Sequence, residues 1–407
     1  MITAKPLQGM RVVDVTEGAQ GPFAVSLLAD LGASVVKIER PGGELMRRGF
    51  GHPLKNGIPL AVLSIARGRM VSIELDLKLA DDRVRLLEIV RAADIFVQNW
   101  RPGIAEDLGL TFTDLKRENE RLIYASASGF GTRGPYAGLP SLGSITASCG
   151  GMSSINGPIG GPAERVRLAL LDFISAMVTA EMILAGIAAQ VDATEPVHLE
   201  TSQLESALAA IAPVLAAVTA GEDRFAGRPC GPSDRWVVPS SLFPCTDDGY
   251  VAIHAETRAE WEALCSVLEL RPEVGWETSA GRLADWERVE AAVAAVTTGW
   301  DAVGLVTELR AQGVPAGPVR RSIAEAMADR RLADEHMVWR PGRPETLGWI
   351  AMAQVPWRFA ECDVRALWPL PPLNSDASPD WHWWAEPRTP GPQAWWRGHR
   401  AVVNDRE

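Results

Sequence analysis

Short runs of β-branched residues alternate with helical stretches through the first 130 residues, and that alternation limits the chain to few architectures. Arg11-Val-Val-Asp-Val15 reads as a strand and Phe23–Leu31 as a helix. Ser34-Val-Val-Lys-Ile38 and Val71-Ser-Ile-Glu-Leu75 read as two more strands, and Asp81–Ala93 has helical periodicity. Asp94-Ile-Phe-Val-Gln98 and Leu122-Ile-Tyr-Ala-Ser126 complete the set. Strands separated by helices form a largely parallel sheet with helices on its faces, so the fold class is α/β with a Rossmann-like large domain. Ligands on such sheets lie beyond the carboxyl ends of the strands, which points to the loops Glu17–Pro22, Glu39–Gly43, Asn99–Gly103 and Gly129–Pro135.

A chain of 407 residues exceeds one typical domain, and a Gly-, Pro- and Arg-rich crossing at Gly221–Pro239 marks a change of unit. Leu242–His254 reads as a hairpin turning at Asp248-Gly249. Helices follow at Ala259–Leu268, Trp286–Thr297 and Ala302–Gln312, stopped by Gly313-Val-Pro315. The sequence therefore predicts a large domain over 1–220, a smaller α+β domain over 221–325, a return segment over 326–375 and a Trp- and Pro-rich tail over 376–407.

The net charge of −11 leaves no basic excess for nucleic acid or an anionic membrane. Any anionic ligand must be held by a local cluster. The five cysteines are scattered without C-x-x-C spacing, so neither disulfides nor a metal site is expected, and a reducing cytoplasm fits. The first residues lack a basic region followed by an apolar one, so no signal peptide is read there. Ala169–Ala189 has the length of a membrane span, but Asp172, Ser175, Thr179 and Glu181 favour a buried helix of a soluble domain.

Asp172 is the one acidic residue of Leu168–Met177 and opens this apolar stretch. A carboxylate among such neighbours is costly without a partner. Two readings stand: a helix N-cap, which accepts from free backbone N–H groups, and a catalytic group. A dinucleotide site is disfavoured, because Gly18-Ala-Gln-Gly21 lacks the G-x-G-x-x-G spacing, and no G-x-S-x-G, H-E-x-x-H or P-loop is present.

Several ordered motifs have a different match. They are Leu7-Gln-Gly-Met-Arg-Val-Val-Asp14, Gly21-Pro22, Leu28-Ala-Asp-Leu-Gly-Ala-Ser-Val-Val-Lys-Ile-Glu-Arg-Pro41 and Ala93-Asp-Ile-Phe-Val-Gln-Asn-Trp-Arg-Pro-Gly103. Further on come Tyr124–Gly131, Gly134-Pro-Tyr-Ala137, Val197-His-Leu-Glu-Thr-Ser202, Thr246–Val251 and Gly313-Val-Pro-Ala-Gly-Pro-Val319. Together they resemble the class III CoA-transferase family, the CaiB/BaiF group that includes formyl-CoA and carnitine CoA-transferases and 2-methylacyl-CoA racemases. The resemblance implies interlocked homodimers, an acyl-CoA thioester and a carboxylic acid as small-molecule substrates, and no permanently bound cofactor. Asp172 falls on the family's nucleophile, which forms an anhydride with the acyl group.

For CoA binding the resemblance implies Arg40, Asn99, Trp100 and Arg101, with Arg67 and Arg69 in the segment before the third strand. The chain departs from the family at Met70, where lysine is common, at Asp107, often arginine, at Ser128, lysine in some members, and at Ala19, often glutamine with Gln20 beside it here. Lost cations weaken phosphate binding. Leu142 and Gly143 stand on the racemases' His-Asp positions, which disfavours two-base racemisation. Arg47 and Arg48 read equally as an anion-steering pair or as solvated surface. CoA transfer is the expected activity; the alternatives are an isomerase, racemase or lyase using Asp172 as general base on a thioester or non-CoA substrate, and a silent binding protein on the same fold.

Overall fold

The computed structural model describes residues 5–47, 69–190, 195–222, 229–234, 236–246, 248–330 and 332, with backbone alone for Arg69, 337–341 and 349–353. The first unit, spanning Met1–Gly150, Val166–Ile211 and Met337–Glu407, is built on a parallel sheet. Its elements run β1 (Arg11–Asp14), α1 (Gln20–Asp30), β2 (Ser34–Glu39), β3 (Arg69–Glu74), α2 (Ala80–Arg91), β4 (Ile95–Gln98), α3 (Ile104–Leu108), α4 (Phe112–Glu118) and β5 (Ile123–Ser128). They continue with α5 (Gly143–Cys149), α6 (Leu170–Ala189), β6 (Val197–Ser202) and α7 (Gln203–Ala210). The six strands lie in the order β3-β2-β1-β4-β5-β6, each pairing parallel with its neighbours. That is a doubly wound sheet whose order reverses between β1 and β4, so the carboxyl ends there open a crevice.

Both faces are covered, which is why the strands are almost uniformly apolar. Val12, Val35, Val97 and Ala125 pack on Leu28 of α1 and on Ala180, Ile183 and Ile187 of α6. Val13, Val36, Phe96 and Tyr124 face Leu86 and Ile89 of α2 and Leu115 of α4. Among the buried polar residues that interrupt this core are a lysine and an aspartate. Lys37 and Asp14 are fully buried on adjacent strands with Nζ 3.1 Å from Oδ2, and Lys37 also donates to the Thr16 carbonyl at 2.8 Å. Asp14 Oδ1 accepts from the Thr16 backbone N–H at 2.8 Å and from its hydroxyl at 2.6 Å. The pair thereby fixes the chain where β1 passes into the loop before α1.

Helix α6 is the apolar stretch that opens with Asp172. It is the one described helix long and apolar enough to cross a membrane, and it buries Leu171, Ser175, Ala176, Thr179, Ala180 and Ile183 along one face. The capping reading of Asp172 is corrected here. The N-cap is Ala169, which makes no side-chain cap, and Asp172 lies inside the first turn.

The second unit comprises Gly151–Arg165 and Ala212–His336. Residues 151–165 and α8 (Ala212–Thr219) thus group with it, whereas the sequence reading placed them in the large domain. The hairpin forms as read, β7 (Ser240–Pro244) pairing antiparallel with β8 (Tyr250–His254), and Asp248 adopts the positive φ of 55° that such turns require. Helices α9 (Arg258–Leu268), α10 (Ser279–Ala284), α11 (Trp286–Thr297) and α12 (Ala302–Ala311) precede β9 (Ala316–Val319), which pairs with β8. A short helix, α13 (Ile323–Ala328), follows. The backbone of β10 (Met337–Pro341) and β11 (Trp349–Ala353) forms an antiparallel pair counted with the first unit. The Trp- and Pro-rich tail lies outside the described residues.

Removing one partner of a fully buried ion pair strands the other charge, at a cost of about 3–5 kcal/mol. Asp14→Ala should therefore lower the unfolding free energy measured by urea titration by an amount of that order, while the joint replacement Asp14→Leu with Lys37→Met recovers most of it. Equal stability of Asp14→Ala and the wild type would refute this account of the strand junction.

Candidate functional site

The carboxyl edge of the sheet carries two polar groupings. The first surrounds the loop after β1. Glu17 donates its backbone N–H to Asn99 Oδ1 at 2.9 Å and accepts at its carbonyl from Asn99 Nδ2 at 2.7 Å, so the residue after β4 clamps the loop after β1. The Glu17 carboxylate receives Arg40 Nε at 2.6 Å and, on its other oxygen, Arg40 Nη2. This bond is the main reason the guanidinium is held above its ordinary pKa.

Beneath the loop, Glu44 is fully buried and accepts the Gly18 N–H at 3.1 Å. Burial pushes its carboxyl up. Its neighbour Glu39 is also driven up by burial, but bonds from Arg47, Ser72 and the Glu44 N–H outweigh that and hold it low. Arg47 is thus committed: its Nε reaches Glu39 Oε2 at 2.7 Å and its Nη2 reaches Oε1 at 2.7 Å. Arg48 lies outside the described residues.

The second grouping surrounds Asp172. Gln203, the first residue of α7 and 4% exposed, donates Nε2 to Asp172 Oδ1 at 2.9 Å. The Gln203 carbonyl end faces the Thr146 hydroxyl of α5 at 3.3 Å. Gly143 begins α5, and a Cβ built there would overlap Asp172 Oδ2. The carboxylate therefore fills the space a side chain at 143 would take. Phe173 packs edge-on against Phe23 of α1 with centroids 4.8 Å apart, walling the site with hydrocarbon. Burial is the main force on Asp172 and raises its pKa, with the Gln203 bond and its own backbone N–H pulling the other way. Among the described residues no cation pairs with it, so the group is a desolvated carboxylate held by an amide, suited to nucleophilic attack or proton abstraction.

The residues named from the sequence separate in space. Arg40 and Asn99 meet at Glu17. Trp100 follows on the same edge, half-buried, its ring edge-on to Phe96 at 6.3 Å, and Arg101 is exposed beside it. Arg69 opens β3 in register with Ser34 at the amino edge, opposite to the end that carries Arg40. Arg67 lies outside the described residues. Of the family departures, Ser128 is buried and accepts the Gly131 N–H at 3.0 Å, so it shapes the loop after β5, and Asp107 is exposed on α3. Sequence reasoning missed Gln203, Thr146 and the buried carboxylate of Glu44. Gln203 directly follows the motif Val197–Ser202, whose alternation of polar with apolar residues is the signal that a strand, and hence a further strand end, precedes it.

Comparison with known proteins agrees with this architecture. The pattern described as CoA-transferase family III spans residues 7–377. The succinyl-CoA:mesaconate CoA-transferase of Haloarcula marismortui is 31% identical over 371 residues, covering 87% of this chain and 90% of its own. The acetyl-CoA:oxalate CoA-transferase of Acetobacter aceti is 31% identical over 344 residues, covering 83% and 86%. In structure, the Rv3272 protein of Mycobacterium tuberculosis superposes with a TM-score of 0.79 at 25% identity, over 92% of this chain and 99% of its own. A CAIB/BAIF family protein from Brucella suis gives 0.79 at 23% identity, over 94% and 100%. With its motifs, its sheet order and nearly its whole length matched, the chain belongs to CoA-transferase family III.

Proposed function

We propose that this protein moves CoA from an acyl-CoA donor to a carboxylic acid acceptor by covalent catalysis at Asp172. The observation that carries this reading is a carboxylate raised in pKa by burial, placed inside the first turn of an apolar helix rather than at its N-cap, and paired with no cation among the described residues. A carboxylate buried without a counter-ion costs stability, a common mark of a functional residue.

Each step balances without an added acid or base. Ionised Asp172 attacks the thioester carbonyl; a C–O bond forms, the C–S bond breaks and CoA leaves as thiolate. The thiolate attacks Cγ of the anhydride, and the donor acid departs as carboxylate, leaving CoA thioesterified to Asp172. The acceptor carboxylate then attacks Cγ and expels thiolate, which takes the acceptor's carbonyl carbon and frees Asp172. Every nucleophile enters as an anion and every leaving group departs as one. A histidine is not needed. Leu142, on the position of the racemases' histidine, has no titratable group that could serve as their second acid or base.

Arg40, Asn99, Trp100 and Arg101 line the edge where CoA would lie, Arg40 exchanging Glu17 for phosphate. The relatives' names join CoA donors to mesaconate and oxalate, so small dicarboxylic acids are the acceptors to assay first. Exposed Leu170, Met177 and Leu184 on α6 and Leu208 on α7 give an apolar face that a second copy would cover, in keeping with an interlocked homodimer. Sedimentation at micromolar concentration should give a dimer, and a stable folded monomer would remove that part of the proposal.

Asp172→Asn and Asp172→Ala should each lose several orders of magnitude in turnover per folded molecule, because neither side chain forms an anhydride. Hydroxylamine added after acyl-CoA should trap Asp172 in the wild type; turnover without an adduct would instead favour the general-base reading. Stability supplies an independent check. A carboxyl whose folded pKa is raised keeps its contribution below its unfolded pKa and loses it as pH rises through the folded value. Asp172→Asn should therefore be at least as heat-stable as the wild type at neutral pH, with any gain vanishing in acid. For CoA itself, Arg40→Ala should raise the acyl-CoA KM with little change in kcat, as expected for contacts shared by ground and transition states.

A further inference from the structure

Gln203 is the feature of the site that neither composition nor motif explains. Its backbone is fixed on both sides, since Ser202 caps α7 by accepting the Glu205 N–H at 3.1 Å, and the Leu204 N–H is bonded to the Gly129 carbonyl at 3.0 Å. Its side chain is fixed at both ends as well. An ionised carboxylate only accepts, so the amide must turn its N–H groups toward Asp172 and its oxygen away. The oxygen then meets the fully buried Thr146, whose hydroxyl lies 3.3 Å from Gln203 Oε1 and 3.1 Å from the Leu142 carbonyl. Gly143 completes the arrangement by leaving room for Oδ2. The two oxygens of Asp172 are therefore inequivalent: Oδ1 is held by an amide, and Oδ2 rests over a bare Cα.

Resting on the covalent reading above, we propose that Gln203 is the positioning residue of the reaction, reserving Oδ2 for attack and serving as the hydrogen-bond donor to Oδ1 whenever charge develops there. Half of the bond exchanges take place at a substrate's acyl carbon, and the other half at Cγ of Asp172. When thiolate or acceptor carboxylate attacks Cγ, the electron pair of the carbonyl moves onto Oδ1. Gln203 Nε2 already sits 2.9 Å from that atom, so it stabilises the tetrahedral state with no rearrangement. The same bond opposes the pull of burial on the carboxyl. The titratable side chains on the elements packed against α6 are Glu181 on α6 itself, Asp30 on α1, Tyr124 on β5, Cys149 on α5, His198 and Glu200 on β6 and Glu205 on α7. None of them contributes to the shift of Asp172.

The test compares Gln203→Leu and Gln203→Glu in the full chain, with thermal melting beside activity. Gln203→Leu should lose roughly 10²–10³-fold in kcat with KM little changed, the size of effect seen when one oxyanion donor is removed. Its acid limb should move to higher pH, since the bond that lowers the Asp172 pKa is gone. Gln203→Glu is isosteric and places two carboxyls together, which share one proton. That variant should donate to Asp172 while singly protonated and fail when both groups ionise, adding a loss of activity on the basic side that the wild type lacks. A space-filling role predicts neither the loss of kcat nor the shifted acid limb in Gln203→Leu. A folded Gln203→Leu with wild-type kcat and acid limb would overturn the proposal. If Gln203→Leu does not fold, an unaltered pH profile in Gln203→Glu does so. Active Asp172→Asn would defeat the covalent reading itself, whereas inactive Asp172→Asn beside wild-type-like Gln203 variants would defeat only the role given to Gln203.

Discussion

The fully buried ion pair between Lys37 and Asp14 fixes the geometry from which the site is built. It joins β1 to β2 and also satisfies the backbone and hydroxyl of Thr16, leaving that residue a single position. Thr16 in turn constrains the start of α1, because a Cβ at Gly21 would collide with it and only glycine lets the helix begin so close to the strand end. Helix α1 then presents Phe23 to Phe173, the neighbour of Asp172. The chain of contact runs from a charge pair in the sheet to the carboxylate at its edge. An ion pair suits this role better than apolar residues of the same size, since its hydrogen bonds are directional and specify one arrangement.

How much of this architecture was legible depends on what each residue's neighbours in sequence reveal. The β-α-β alternation is a local pattern, and the strands and helices read between Arg11 and Ser126 form within a few residues of where periodicity puts them, whereas the short helices α3 and α4 stand where the sequence reading had only a turn. The hairpin at Asp248-Gly249 is equally local, because the turn residues declare their own backbone. Asp172 was conspicuous for the same reason, as one acid in an apolar run. Its exact place was not, because a helix start depends on backbone geometry that an Asp before apolar residues only suggests, and Ala169 holds the cap position instead. Gln203 is invisible to such reasoning. A glutamine after a strand is ordinary, and only the fold brings it to Asp172 from 31 positions away.

The cations tell a similar story. In a chain of net charge −11 the basic residues near the sheet edge stand out as candidate phosphate ligands, yet the structure assigns several of them internal work. Arg47 neutralises a buried glutamate. Arg40 is already bonded to Glu17, so a phosphate arriving there would exchange one anion for another and gain only the difference between them. The same exchange would release Glu17, whose backbone Asn99 holds in place, so the loop would keep its course while its carboxylate turned free.

The proposed chemistry and the fold make opposite demands on Asp172. A nucleophile gains reactivity as water is removed from it, but removal of water also drives the proton back on and so takes away the charge that attacks. The site meets both demands with neutral dipoles. An amide opposes the upward pull of burial without forming an ion pair, so the carboxylate is not quenched by a cation that would have to be expelled before attack. A lysine or arginine at the position of Gln203 would ionise Asp172 more completely and would hold both oxygens by charge, with the cost returning in the barrier to attack. The sequence of anionic exchanges inferred here, in which no proton moves, is the reaction for which a dipole is the better partner. On that argument the amide of Gln203 and the missing side chain of Gly143 form one device: the first holds one oxygen of Asp172 and the second leaves space for the other.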